Sequence, residues 1–160
     1  MKASEPVLRL ERFVPYRLSV LANRISAALA RRYRDRFGLS VPEWRVMAVL
    51  GREDGLSARE LSARTAMDKV KITRAAQALA RKGLVARERD RRDHRVTRHR
   101  LTGRGREIYA AVAAEALAWE RRFLAGLDGC ERACLERMLG RLERRIAEVE
   151  GAPEDLACEV

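Results

Sequence analysis

The chain has 160 residues, 47% hydrophobic and 36% charged, which fits one folded domain with a substantial core rather than a disordered segment. Its 34 Lys and Arg against 23 Asp and Glu leave a net charge of +11, so polyanions are favoured partners, and charge alone leaves DNA, RNA and anionic membrane all eligible. No apolar run approaches the roughly 20 residues needed to span a bilayer. The N-terminus also lacks the uninterrupted apolar core of a signal peptide, so a cytoplasmic protein without a membrane partner is expected.

In chain order, residues 1–14 read as an arm, 15–150 as one folded domain and 151–160 as a flexible tail. Pro15 opens a long helix to about Phe37, with Leu18, Leu21, Ile25 and Leu29 at spacings of three and four, and Gly38 ends it. Ser40-Val41-Pro42-Glu43 has capping-box spacing and starts a helix carrying Trp44, Met47 and Leu50. Ser57-Ala58-Arg59-Glu60 repeats that spacing, with Leu56 and Leu61 at the hydrophobic-staple positions. The helix it starts is short, because Thr65-Ala66-Met67-Asp68 supplies a break and a fresh N-cap in Asp68. The next helix, about 69–82, repeats Ile72, Ala75, Ala76 and Leu79 at helical spacing, and Gly83 fits the left-handed residue after it. Residues 84–89 and 95–101 are short strand candidates around a polar turn at 90–94. Thr102 caps a helix to about Ala125 with a stripe of Ile108, Val112, Trp119 and Phe123. Gly126 breaks it, and Asp128 caps a last helix to about Glu150 that carries Leu135, Met138, Leu142, Ile146 and Val149.

The short pair of helices has the logic of a helix-turn-helix. The second presents Lys69, Lys71, Thr73, Arg74 and Gln77 away from its apolar stripe, where they can reach base edges in the major groove of double-stranded DNA. Seven arginines, at 87, 89, 91, 92, 95, 98 and 100, crowd the hairpin that follows. A charged hairpin on its own reads as a solvated surface. Placed directly after a recognition helix it reads as a wing, since arginines on a thin ribbon enter the negative minor groove. Arg92, His94 and Arg95 would form its tip, with Arg87 and Arg98 near phosphates.

This segment resembles the winged helix of the multiple-antibiotic-resistance regulator (MarR) family. The residues that carry the resemblance are Asp93-x-Arg95, Leu101-Thr102 and Gly105-Arg106, preceded by Asp68-Lys69-Val70-Lys71-Ile72-Thr73-Arg74 and Gly83-Leu84-Val85. The resemblance implies that Arg95 is the wing-tip arginine, held by Asp93. The chain departs from a common family form at Arg91, where a proline often stands, and at His99, where the strand is often aliphatic. The expected fold is mostly α with a small β wing, a winged helix-turn-helix domain plus dimerisation helices. The DNA-binding lobe spans about 40–102, and the helices at about 15–37 and 103–150 pair subunits.

Neither long flanking helix has enough core within one small winged domain to cover its stripe. Val14, Leu18, Trp119, Phe123, Leu135, Met138, Leu142 and Ile146 therefore read as a homodimer interface, the alternative being an intrachain hairpin closed on the first helix. A two-fold dimer would read a pseudo-palindromic operator with half-sites about one DNA turn apart. Tyr16, Arg17, Asn23, Arg24 and Ser26, with Trp44 and Arg45, could line a pocket for an aromatic or anionic small molecule. Alternatively, Trp44 belongs to the core and the rest face solvent or a second subunit. By resemblance to members associated with aromatic-compound catabolism, aromatic acids or their coenzyme A thioesters are the effector class, and the function is a repressor that an effector releases.

Two rival readings rest on other features. Cys130 and Cys134 share a helical face at a helix N-terminus, a setting that favours thiolate and would suit a redox switch, whereas small side chains in a helix interface are the plain alternative. A general nucleic-acid-binding protein is the other rival, but RNA readers display aromatic side chains for stacking and this hairpin has none. The odd cysteine count, with Cys158 the third, does not form a disulfide scaffold. No nucleophile elbow, phosphate loop or metal-ligand spacing is found, so no enzyme, metal or cofactor is expected.

Overall fold

The computed structural model describes residues 7–151. Six residues of the expected arm and, apart from Gly151, the expected tail with Cys158 lie outside the described residues. Six helices and three strands follow in the order α1 (Val14–Phe37), α2 (Val41–Leu50), β1 (Leu56–Ser57), α3 (Ala58–Thr65), α4 (Lys69–Arg81), β2 (Val85–Arg89), β3 (Thr97–Leu101), α5 (Gly103–Phe123) and α6 (Gly129–Gly151). This is the mostly helical fold with a small antiparallel sheet that the sequence implied. The chain divides into two compact units, with the division after Leu117, inside α5.

Local chemistry sets the element boundaries of the first unit. Ser40 and Glu43 form a reciprocal capping box at α2, and Ser57 and Glu60 form another at α3. Asp68 caps α4 by accepting from the Lys71 amide at 2.8 Å. Between α3 and α4 the chain turns through Ala66 at φ 51°, and the Ser62 hydroxyl donates to the Met67 carbonyl, closing the turn. Gly38 and Gly83 end α1 and precede β2 at positive φ, which glycine adopts without penalty.

The core gathers Ala30 and Tyr33 of α1, Val46, Met47 and Leu50 of α2, Leu61 of α3, Ile72, Ala75 and Leu79 of α4, and Val112 of α5. Each large aliphatic group buried there contributes about 1.5–3 kcal/mol, so the helix-turn-helix is held by its packing rather than by helix propensity. Within the 103–150 helices expected to pair subunits, Ile108, Tyr109 and Val112 of α5 pack on or within this core. Gly105 explains itself here, because a Cβ on it would overlap the Leu84 carbonyl oxygen. Only glycine lets α5 start this close to the chain entering β2.

The sheet has the order β1-β3-β2. In the hairpin, Val85 pairs with Leu101, Arg87 with His99 and Arg89 with Thr97. Two-residue β1 adds Leu56 opposite His99 and Ser57 opposite Arg98. It ties the wing to the start of α3, and it is too short to leave any periodic signal in the sequence.

The second unit contains the end of α5 and all of α6. Asp128 and Glu131 cap α6 reciprocally, each side chain accepting the other's amide, at 2.8 and 2.9 Å. Arg132 folds back to donate to the Leu124 and Leu127 carbonyls, and Trp119 stacks on Phe123 at 4.9 Å. Among the described side chains none of α6 is buried.

Candidate nucleic-acid interface

Helix α4 has two faces of different chemistry. Ile72, Ala75, Ala76 and Leu79 are buried, while Lys69, Val70, Lys71, Thr73, Arg74, Gln77 and Arg81 are exposed. At 100° per residue, Val70, Arg74, Gln77 and Arg81 fall on the stripe opposite the buried one, with Lys69 and Lys71 on its flanks. All five sequence-predicted positions of this helix are therefore accessible. Two carry internal bonds: the Thr73 hydroxyl donates to the Lys69 carbonyl at 2.8 Å, and Lys71 Nζ sits 3.0 Å from Asp68. That exposed ion pair is worth little and can be exchanged for a phosphate.

The far end of α4 is fixed by a lysine whose partners are distant in sequence. Lys82 donates to the Gly38 carbonyl at 2.7 Å and to Glu43 Oε1 at 2.6 Å. Burial pushes the Glu43 carboxyl up, but hydrogen bonds from Lys82 and Ser40 outweigh it and hold the group below its usual range. One lysine thus ties the end of α4 to the start of α2. A charged pair 39 positions apart leaves no local pattern to read.

The wing is organised by two aspartates. Asp90 Oδ1 accepts the Arg92 and Asp93 amides at 2.8 and 3.1 Å, and Asp93 Oδ1 accepts the Arg95 amide at 2.9 Å. Asp93 therefore holds Arg95 by its backbone, which leaves the guanidinium free. Arg98 differs from the others. Its Nε donates to Asp90 at 2.6 Å, and its Nη1 donates to Glu60 at 3.0 Å and to the Gly55 carbonyl at 3.1 Å. Expected near phosphates, Arg98 is instead occupied at the root of the wing, joining the turn to the first turn of α3. The Arg92 amide, the Arg98 side chain and the Asp93 amide together lower the Asp90 pKa to about 2. The Ser57 side chain and amide, with Arg98 and Arg64, also hold Glu60 below its ordinary value.

Of the seven hairpin arginines, Arg98 pairs as described and Arg100 lies 3.5 Å from Glu88. Arg87, Arg89, Arg91, Arg92 and Arg95 have no carboxylate within ion-pair distance among the described residues. His94 is exposed beside them. His99 faces inward at 5% exposure, and its Nδ1 donates to the Leu56 carbonyl at 3.0 Å. Burial lowers its pKa despite that bond, and the neighbouring Arg87 lowers it further. The buried histidine thus both packs inward and fastens β1.

The residues expected to line an effector pocket are not gathered within one chain. Trp44 is half-buried between Tyr33 and Tyr109, with ring centroids 5.9 and 6.0 Å away. Tyr16 and Arg17 are exposed near the start of α1, roughly 25 Å along the helix from Tyr33. Asn23, Arg24 and Arg45 are exposed and Ser26 is half-buried. Of the cysteines, Cys130 is exposed and Cys134 half-buried in the first turns of α6. The residues expected at a dimer interface are exposed in the single chain at Val14, Leu18, Phe123, Leu135, Met138, Leu142 and Ile146, and Trp119 is half-buried. No helix of the described residues is long and apolar enough to cross a membrane.

A helix with a buried apolar face and an exposed cationic one, followed by a hairpin in which five of seven arginines have no carboxylate partner among the described residues, defines a winged helix-turn-helix of the DNA-binding class. Comparison with known proteins agrees. The family model described as the MarR family matches residues 37–96. The chain is 30% identical over 113 residues to an uncharacterized HTH-type transcriptional regulator, YdgJ, of Bacillus subtilis, a match covering 71% of this chain and 69% of that protein. It is 31% identical to the MarR family transcriptional regulator SPO1453 of Silicibacter pomeroyi, with a TM-score of 0.71 over 85% of this chain and 99% of the other. The PcaV transcriptional regulator of Streptomyces coelicolor, solved in complex with its natural ligand, shares the fold at 24% identity. Its TM-score is 0.71 over 87% of this chain and 97% of that one. The chain belongs to the MarR family of transcriptional regulators.

Proposed function

We propose that the protein is a homodimeric repressor that reads a pseudo-palindromic DNA site and is released by a small aromatic acid or acyl-coenzyme A effector. The observation that carries the DNA reading is the exposed stripe of α4 beside a wing whose tip arginines have no carboxylate partner among the described residues. On this reading α4 enters the major groove, Lys69 and Lys71 neutralise phosphate, and Arg74 and Gln77 meet base edges. Arg92, His94 and Arg95 reach the minor groove, with Arg87 near the backbone. Arg98 acts as a brace, keeping the wing at a fixed height above α3.

Self-association is supported by the exposed apolar side chains of α6 and of the start of α1, a pattern that a second copy would cover. Release needs only that an effector favour a spacing of the two wings that misses the two half-sites. A differential affinity of about 2–3 kcal/mol is enough for a large drop in occupancy. The PcaV transcriptional regulator, which shares this fold, was solved in complex with its natural ligand, and that supports a ligand-responsive reading.

Selection from a pool of randomised duplexes tests the reading. A recovered motif with two inverted half-sites about 10 base pairs apart, released by an aromatic acid or its thioester, is the expected result. A single half-site would contradict the dimer, and a motif that no such compound releases would contradict the effector class.

A further inference from the structure

The winged-helix lobe covers its large apolar side chains, fully or in part, with one exception. Among the described residues of 40–102, Val70 is the only large apolar side chain that is exposed, at 59%. It stands in the first turn of α4, between Lys69 and Lys71, one turn before Thr73 and Arg74 and two before Gln77. Helical spacing puts it on the stripe opposite Ile72, Ala75, Ala76 and Leu79, so repacking within the lobe cannot cover it. A β-branched residue also has lower helix propensity than alanine at an exposed position. Local stability does not account for Val70.

Resting on the reading that α4 lies in the major groove, we propose that Val70 is a specificity-determining residue that takes the 5-methyl group of a thymine. The cations around it commit this face to a polyanion. In the major groove the one apolar feature on a base edge is the thymine methyl, while the other edge groups are hydrogen-bond donors and acceptors. An isopropyl group brought there finds a matching partner only at thymine. At cytosine it would desolvate the exocyclic amine without bonding it. Lys69 and Lys71 on its flanks set the depth of the helix by holding phosphates, and Arg74 and Gln77 read the adjoining steps by hydrogen bonds.

The test uses the full chain and the duplex recovered by selection. Each thymine is replaced in turn by deoxyuridine, which removes the methyl group and leaves base pairing intact. At one thymine of each half-site, uridine should weaken wild-type binding about fourfold, and about 15-fold when both half-sites are changed, the value of burying one methyl group each time. Val70→Ala should be indifferent to uridine at that position while keeping its melting temperature and its response at every other thymine. The same uridine profile for wild type and Val70→Ala, or no uridine effect at all, would overturn the assignment and leave the α4 reading standing. Failure to recover any motif would remove both.

Discussion

The lobe at 40–102 and helix α6 use apolar side chains in opposite ways. In the lobe, large apolar side chains are buried or half-buried and one, Val70, is exposed. In α6, Leu135, Met138, Leu139, Leu142, Ile146 and Val149 are all exposed, and no described side chain is buried. The lobe shares a closed core with Ala30 and Tyr33 of α1 and Val112 of α5, and shows the solvent cationic chemistry. Helix α6 has a hydrophobic stripe at core spacing and no core of its own. A region whose apolar groups are covered is free to present a reading surface, whereas a region that leaves its stripe open is where the proposed second copy would pack.

The largest expected effect breaks the α6 side of that contrast. Leu142→Glu places a charge in the stripe, and sedimentation should show the dimer dissociation constant rising about 30-fold or more with helicity retained. An unchanged association state would take α6 out of the interface. Where α5 starts beside the lobe, Gly105→Ala forces a methyl group against the Leu84 carbonyl oxygen. Thermal unfolding should report a loss of about 1–3 kcal/mol. Unaltered stability would mean that the start of α5 can shift without consequence.

Two arginines sharpen the comparison within the wing. Arg95→Ala should weaken specific binding several-fold and lower the salt slope by about one unit, with the melting temperature unchanged. Arg98→Gln should behave differently, speeding hydrogen exchange at the Arg92 and Asp93 amides in the free protein, because it frees Asp90 from its partner. Equal exchange in wild type and variant would show that the brace is dispensable.

The smallest effects concern pH. His99 has a folded pKa below its ordinary 6.5, so its contribution to stability is complete above 6.5 and declines as pH falls below that value. His99→Leu should remove that segment of the stability profile whatever its effect at neutral pH. Asp90, lowered from 3.8 to about 2, stabilises the wing turn above its unfolded value and loses that contribution as pH falls from about 4 towards 2.

Local chemistry made much of this legible in advance. The Ser40, Ser57 and Asp68 caps, the buried stripe of α4 and the glycine at 83 are short-range features that sequence spacing records directly. Arg98, Lys82 and β1 were not legible, because their roles depend on partners brought close only by the fold. Glu60 lies 38 positions from Arg98 and Gly38 lies 44 from Lys82. One signal was available for the wing: in a hairpin pairing Glu88 with Arg98, Asp90 comes within reach of that arginine. The Trp44 environment depends likewise on Tyr33 and Tyr109, which arrive from two other helices. Val70 could have been noticed as an apolar residue on a polar stripe, but only the exposure of the folded chain shows that nothing in the lobe covers it.

The most direct test of sequence-specific readout by α4 and the wing is fluorescence anisotropy with the selected duplex and a scrambled duplex of equal length, followed through a salt series. At about 0.15 M salt the selected duplex should bind at nanomolar concentrations and about a thousandfold or more tighter than the scrambled one. Equal affinities that collapse together as salt rises would mean that the basic surface only neutralises phosphate, and would contradict a sequence-reading regulator.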